Sequence, residues 1–149
     1  MFDSIKTLIR FAEQWEFRCF IRNKKLRAIS QYHCYQYYPE FKDPNLRKQI
    51  KVRITNFYQS IKNYIPYEDC VMDLIILDNS NLPSYLDPHI YIIESNIFGG
   101  ETPCGSGLYN WVIDHKILYF AKTPDIGFVE EESEIDRLAR KIDNNILAH

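Results

Sequence analysis

Apolar positions along the chain first recur at helical spacing. Ile5, Leu8, Ile9 and Ala12, behind Ser4 as a cap, predict a helix over residues 4–14. The period then drops to two. Over residues 15–21, Phe17, Cys19 and Ile21 point one way while Glu16, Arg18 and Phe20 point the other. A polar turn at Arg22-Asn23-Lys24-Lys25 and a second alternating run to Gln31 complete a hairpin. Asp43-Pro44 reads as a helix start, with Asp43 as N-cap and Pro44 at the first helical position. Leu46, Ile50, Ile54, Phe57 and Ile61 then share one face until Pro66. Residues 71–77 and 90–96 form a second pair of strands, joined by a long Asn-, Ser- and Pro-rich connection. Residues 99–107 read as a loop, and residues 108–120 mix aromatic and aliphatic side chains without a period. A last helical pattern, Ile135, Leu138, Ala139, Ile142 and Ile146, covers residues 133–147. The order helix, hairpin, helix, hairpin, helix predicts an α+β fold, a mainly antiparallel sheet with packed helices, as one domain over residues 1–149.

Composition narrows the classes of function. At 46% hydrophobic residues the 149-residue chain can form a proper core, and a net charge of −2 gives no general attraction to nucleic acid or membrane. No apolar run is long enough to span a bilayer. Cys19, Cys34, Cys70 and Cys104 are scattered without a C-x-x-C pair, and read as reduced thiols of a cytoplasmic protein rather than a zinc site. Gly105-Ser106-Gly107 lacks the strand-turn-helix setting of a dinucleotide fingerprint. Tyr32, Tyr35, Tyr37 and Tyr38 read as core packing, with a binding surface as the alternative, and His33, His89 and His115 have no ligand spacing.

The polar residues inside apolar strands carry the chemistry. Glu94 and Asn96 are two apart, so they share a face, and Asp73 sits in V-M-D-L-I-I on the neighbouring strand. Two carboxylates and a carboxamide on one surface suit a hard cation such as Mg²⁺, which takes oxygen ligands and substrate phosphates. The alternative is a local pairing of each carboxylate with Lys or Arg. Arg18, mid-strand in E-F-R-C-F, has the rigid donor fork for a phosphate or carboxylate, or forms a salt bridge to a strand neighbour. Ser30 and Gln31 either line that surface or cap the turn that follows. Neither Asp73→Asn nor Glu94→Gln is expected to unfold the protein, because removing a carboxylate's charge relieves mutual repulsion.

These segments, in this order, resemble the cell division cycle protein 123 family, also called D123. The matching stretches are E-F-R-C-F-I-R-N-K-K-L-R-A-I-S-Q at 16–31, Y-Q-Y-Y at 35–38, V-M-D at 71–73 and I-I-E-S-N-I-F-G at 92–99. G-L-Y-N-W at 107–111 is similar to the family's Leu-Phe-x-Trp motif. The resemblance implies the C-terminal half of an ATP-grasp-like fold. It implies ATP and Mg²⁺ as ligands, with Asp73, Glu94 and Asn96 holding the metal and Arg18 facing the nucleotide. It implies a non-catalytic assembly factor for translation initiation factor 2, bound through that factor's gamma subunit. The alternatives are an ATP-grasp carboxylate–amine ligase and an interaction module that has lost nucleotide binding. Glu94 stands where the family usually has Asp, Tyr32 and His33 stand in place of an Arg and an Asp, and Gly105 stands in place of the Asp before the Leu-Phe-x-Trp motif. The resemblance covers the family's second half, and the sequence leaves open whether a second chain or a second copy supplies the first.

Overall fold

The computed structural model of the chain describes residues 13–77, 89–100 and 105–132. The expected helices at 4–14 and 133–147 and the connection between the second pair of strands fall almost wholly outside them. Only a short 3₁₀ turn, Glu13–Trp15, belongs to the first.

Five strands form one mixed sheet: β1 (Glu16–Arg22), β2 (Lys25–Gln31), β3 (Cys70–Ile76), β4 (Ile90–Asn96) and β5 (Asp125–Gly127), in the order β4-β3-β1-β2-β5. The first four pair antiparallel, as expected. The expectation of a mainly antiparallel sheet omits β5, which lies parallel to β2 along three residues. The first hairpin closes at Asn23 and Lys24, both with positive φ (52° and 62°), the conformation of a tight two-residue hairpin turn. Asp69 holds that turn, accepting from the Asn23 amide at 2.8 Å and from Arg22 Nη1 at 3.0 Å.

One face of the sheet packs against helix α1 (Pro44–Ile61). Its start is as expected: the Asp43 side chain accepts from the Asn45 amide at 2.9 Å, and Pro44 occupies the first turn. Ile50, Ile54 and Tyr58 of α1 are buried on Phe17, Cys19, Ile21, Ile29, Met72, Leu74 and Ile76. Among the described residues the second face is covered only in part. Residues 105–114 and helix α2 (His115–Phe120) lay Tyr109, Trp111 and Leu118 over Phe20, Ala28 and Val71. The Phe20 ring meets those of Tyr109 and Trp111 edge-on at 5.8 and 5.5 Å.

Two β-bulges interrupt the alternation. Between β1 and β2 the register steps from Ile21↔Leu26 to Phe20↔Ala28, leaving Arg27 as the extra residue. Between β3 and β4 it steps from Leu74↔Ile92 to Asp73↔Glu94, leaving Ile93 extra. A one-residue shift moves every later side chain to the opposite face. The second bulge therefore lets Ile90 enter the core beneath α1 while Glu94 and Asn96 point to the other face.

Deleting Ile93 restores strict alternation and obliges either Ile90 or Glu94 to change face. The expected cost is that of emptying a buried isoleucine site, about 2–5 kcal/mol in urea unfolding; an unchanged midpoint would show that the bulge does not set the parity of β4.

Candidate functional site

Strand pairing lines up one transverse row on the partly covered face. Cα partners run Gly127–Ser30–Arg18–Asp73–Glu94 across β5, β2, β1, β3 and β4. Asn96 lies one step along the same face, opposite Val71. Arg18, Asp73, Glu94 and Asn96 thus share a surface, although the side-chain oxygens of Glu94 and Asn96 are not tied to those of Asp73 by any hydrogen bond described. The row leaves the cover only at its β4 end: Ser30 and Asp73 are buried, as are the neighbouring Phe20, Ala28 and Val71, whereas Glu94 is exposed.

Asp73 is 2% exposed, inside a strand whose other residues are apolar apart from Cys70. A buried carboxylate needs a partner, and Arg18 supplies it in a two-pronged pair. Nε donates to Oδ1 at 2.8 Å and Nη2 to Oδ2 at 3.0 Å. Arg18 Nη1 donates to the Gly105 carbonyl at 2.7 Å, and the guanidinium lies 5.1 Å from the centre of the Tyr32 ring. Of the two readings of Arg18 open from sequence, the salt bridge to a strand neighbour is the arrangement seen. The expectation that Asp73→Asn relieves repulsion is corrected by the same geometry. The Asp73 charge is compensated by Arg18, so its removal strands a cation.

Ser30 and Gln31 divide the roles that sequence left open. Ser30, fully buried on the site face, accepts from the Leu108 amide at 2.9 Å and donates to the Gln31 carbonyl at 2.9 Å. It clamps the 105–109 segment beside Arg18. Gly107, at φ +61°, lies so close over Ser30 that a Cβ would run into the hydroxyl, which gives the second glycine of the G-x-G pair a packing role. Gln31 faces α1 and ties down the next loop, donating to the carbonyls of His33 and Gln36 and accepting from the Val129 amide at 3.2 Å.

That loop forms a cleft of about 360 Å³ beside Arg18, bordered by Tyr32, His33, Tyr35, Gly105 and Gly107. The expectation that the tyrosines pack in the core fails for two of the four: Tyr32 is 36% and Tyr35 90% exposed, while Tyr38 packs against Phe41. Burial holds the Tyr32 hydroxyl above its ordinary range, with the Asp73 charge adding and Arg18 opposing. Glu16, next along the face from Arg18, is likewise pushed up by burial and pulled back by His33, whose Nε2 is 3.7 Å away. Tyr32 and Gly105 were missed as site residues. Their signal was weak: each stands where the resembled family has a charged side chain, and each instead meets the guanidinium.

No three His, Cys, Asp or Glu side chains among the described residues gather at metal-binding range. A cation here would use the two carboxylates with the Asn96 carboxamide and its ligand's phosphates. The all-oxygen donor set is of the kind a hard divalent ion takes, with the Asp73 oxygens buried against Arg18 and Glu94 exposed.

The D123 family model matches residues 5–146. A CDC123-like protein of Acanthamoeba polyphaga mimivirus is 34% identical over 128 residues, 86% of this chain and 38% of the relative. A translation initiation factor eIF2 assembly protein of Xenopus laevis is 35% identical over 99 residues, 64% of this chain and 25% of the relative. The solved structure of Cdc123 from Schizosaccharomyces pombe superposes with a TM-score of 0.59 at 24% identity, over 80% of this chain and 42% of that one. This likeness shows the fold, which is ATP-grasp-like; the chain spans less than half the length of these relatives.

The paired geometry predicts unequal effects of neutralising the two carboxylates. Asp73→Asn should cost about 2 kcal/mol, the worth of a hydrogen bond to a charged group, whereas exposed Glu94→Gln should stay within about 0.5 kcal/mol. Urea midpoints of the two variants measure the difference, and equal midpoints would contradict it.

Proposed function

Because the chain belongs to the D123 family, we propose that it works as an assembly factor for translation initiation factor 2, engaging the gamma subunit and carrying a magnesium–nucleotide site on the partly covered face of its sheet. The observation that carries the site is the row Arg18–Asp73–Glu94, with Asn96 beside it. It presents one guanidinium, two carboxylates and one carboxamide on adjacent strands. The relative from Xenopus laevis bears the name of an eIF2 assembly protein, which supports the partner.

In this reading Asp73, Glu94 and Asn96 hold the divalent ion, and Arg18 serves the nucleotide. Magnesium supplies charge neutralisation for the phosphates when bound. The chain's own residues position and select: β-sheet pairing fixes the spacing of the oxygens, and Ser30 with Gly107 holds the covering segment at the edge of the row. Binding, rather than turnover, is what a row of this kind on a half-open face can do unaided.

Affinity for nucleotide should be weak. Ionic contacts open to water contribute about 1 kcal/mol or less each. Calorimetry on the whole chain should give a Kd for Mg²⁺–ATP near 1 mM, about 4 kcal/mol of binding. ATP and GTP should be nearly equal, and Glu94→Gln should remove the signal. Capture on immobilised chain should retain the gamma subunit of initiation factor 2. Low-micromolar ATP binding with a clear preference over GTP, or failure to retain the gamma subunit, would count against the site or the partner respectively.

A further inference from the structure

Arg18 is held on three sides. Its Nε and Nη2 occupy both oxygens of Asp73 at 2.8 and 3.0 Å, its Nη1 reaches the Gly105 carbonyl at 2.7 Å, and its plane lies over the Tyr32 ring at 5.1 Å. An arginine so engaged is not available to a phosphate as a free cation. A carboxylate gripped by a guanidinium fork is likewise a poor metal ligand, because a divalent ion on either oxygen would sit against a like charge. The row carries one positive charge against the two carboxylates Asp73 and Glu94, so an approaching phosphate meets net negative charge.

We propose that Arg18 is a resident counter-ion that a divalent cation must displace from Asp73, and that the displacement releases the guanidinium to the ligand's phosphates. The inference rests on the magnesium–nucleotide reading above and adds the order of events within it. The metal takes over the neutralisation of Asp73. Arg18, still beside the Gly105 carbonyl and the Tyr32 ring, turns its freed donors toward the 360 Å³ cleft that it borders with those two residues. Two consequences follow. Nucleotide without a divalent cation finds no site, and removal of the arginine strengthens metal binding instead of weakening it.

The test is a Mn²⁺ titration of the whole chain, read by the loss of free Mn²⁺ signal in electron paramagnetic resonance. It compares wild type, Arg18→Gln and Arg18→Gln/Glu94→Gln. Removal of a competing charged hydrogen-bond pair should tighten Mn²⁺ binding at least about tenfold in Arg18→Gln, and adding Glu94→Gln should abolish the gain. Arg18→Gln binding no more tightly than a wild type that does bind Mn²⁺ would overturn the counter-ion role while leaving the metal reading standing. Absence of Mn²⁺ binding in both proteins would overturn the two together. Should Arg18→Gln prove unfolded by circular dichroism, the wild type decides through the Arg18 Nε–H resonance in ¹⁵N spectra. Saturating Mg²⁺ should shift that resonance and remove its protection from exchange. A resonance left in place while the amides of Asp73 and Glu94 shift would contradict displacement.

Discussion

A carboxylate almost wholly removed from water, in the middle of an apolar strand, is the constraint around which this face of the molecule is organised. Asp73 is tolerable there only because Arg18 stands directly opposite on β1 and meets both of its oxygens. The arginine in turn needs acceptors for its remaining donors, and the Gly105 carbonyl provides one. The segment that carries Gly105 must therefore arrive at the end of the row, and the Ser30 hydroxyl with the side-chain-free Gly107 brings it there. A single buried charge thus draws strands β1, β2 and β3 and the covering segment into one arrangement.

The same face has two regimes. Over Phe20, Ala28 and Val71 it is roofed by Tyr109, Trp111 and Leu118 and behaves as core. Two residues further along each strand it carries Arg18, Asp73, Ser30 and Glu94, of which Ser30 and Asp73 are still buried and Glu94 is exposed. The bulges at Arg27 and Ile93 lie on the strands flanking this boundary. Each lets an apolar run feed the core beneath α1 on one side of the bulge and present polar groups to the opposite face on the other. Bulges beside binding surfaces commonly re-aim side chains in this way. Here they allow strands rich in Ile and Leu to supply a charged row without exposing the hydrophobic core.

Much of this was legible in the residues. Asp43-Pro44 announces α1, and the alternation of Phe17, Cys19 and Ile21 against Glu16, Arg18 and Phe20 gives β1 its two faces correctly. Glu94 and Asn96 share a face because nothing interrupts the two-residue period between them. The bulges were hidden for a physical reason: Ile90-Tyr91-Ile92-Ile93 is apolar throughout, so no polar residue marks where parity changes. β5 is three residues long and joins the sheet by tertiary contact, below the length at which a period appears. The covering segment from 105 to 120 packs through aromatic rings set on a loop and a six-residue helix, so its burial follows no repeat.

The central claim is that Arg18 and Asp73 act as one unit whose halves are each untenable alone. A double-mutant cycle on Arg18→Met and Asp73→Leu, followed by urea unfolding of all four proteins, measures this directly. Each single substitution should cost about 3–5 kcal/mol by leaving a buried charge without its partner, and the double variant should recover most of that loss. Single costs that sum to the double within about 0.5 kcal/mol would show that the two residues are energetically independent, and would contradict the account.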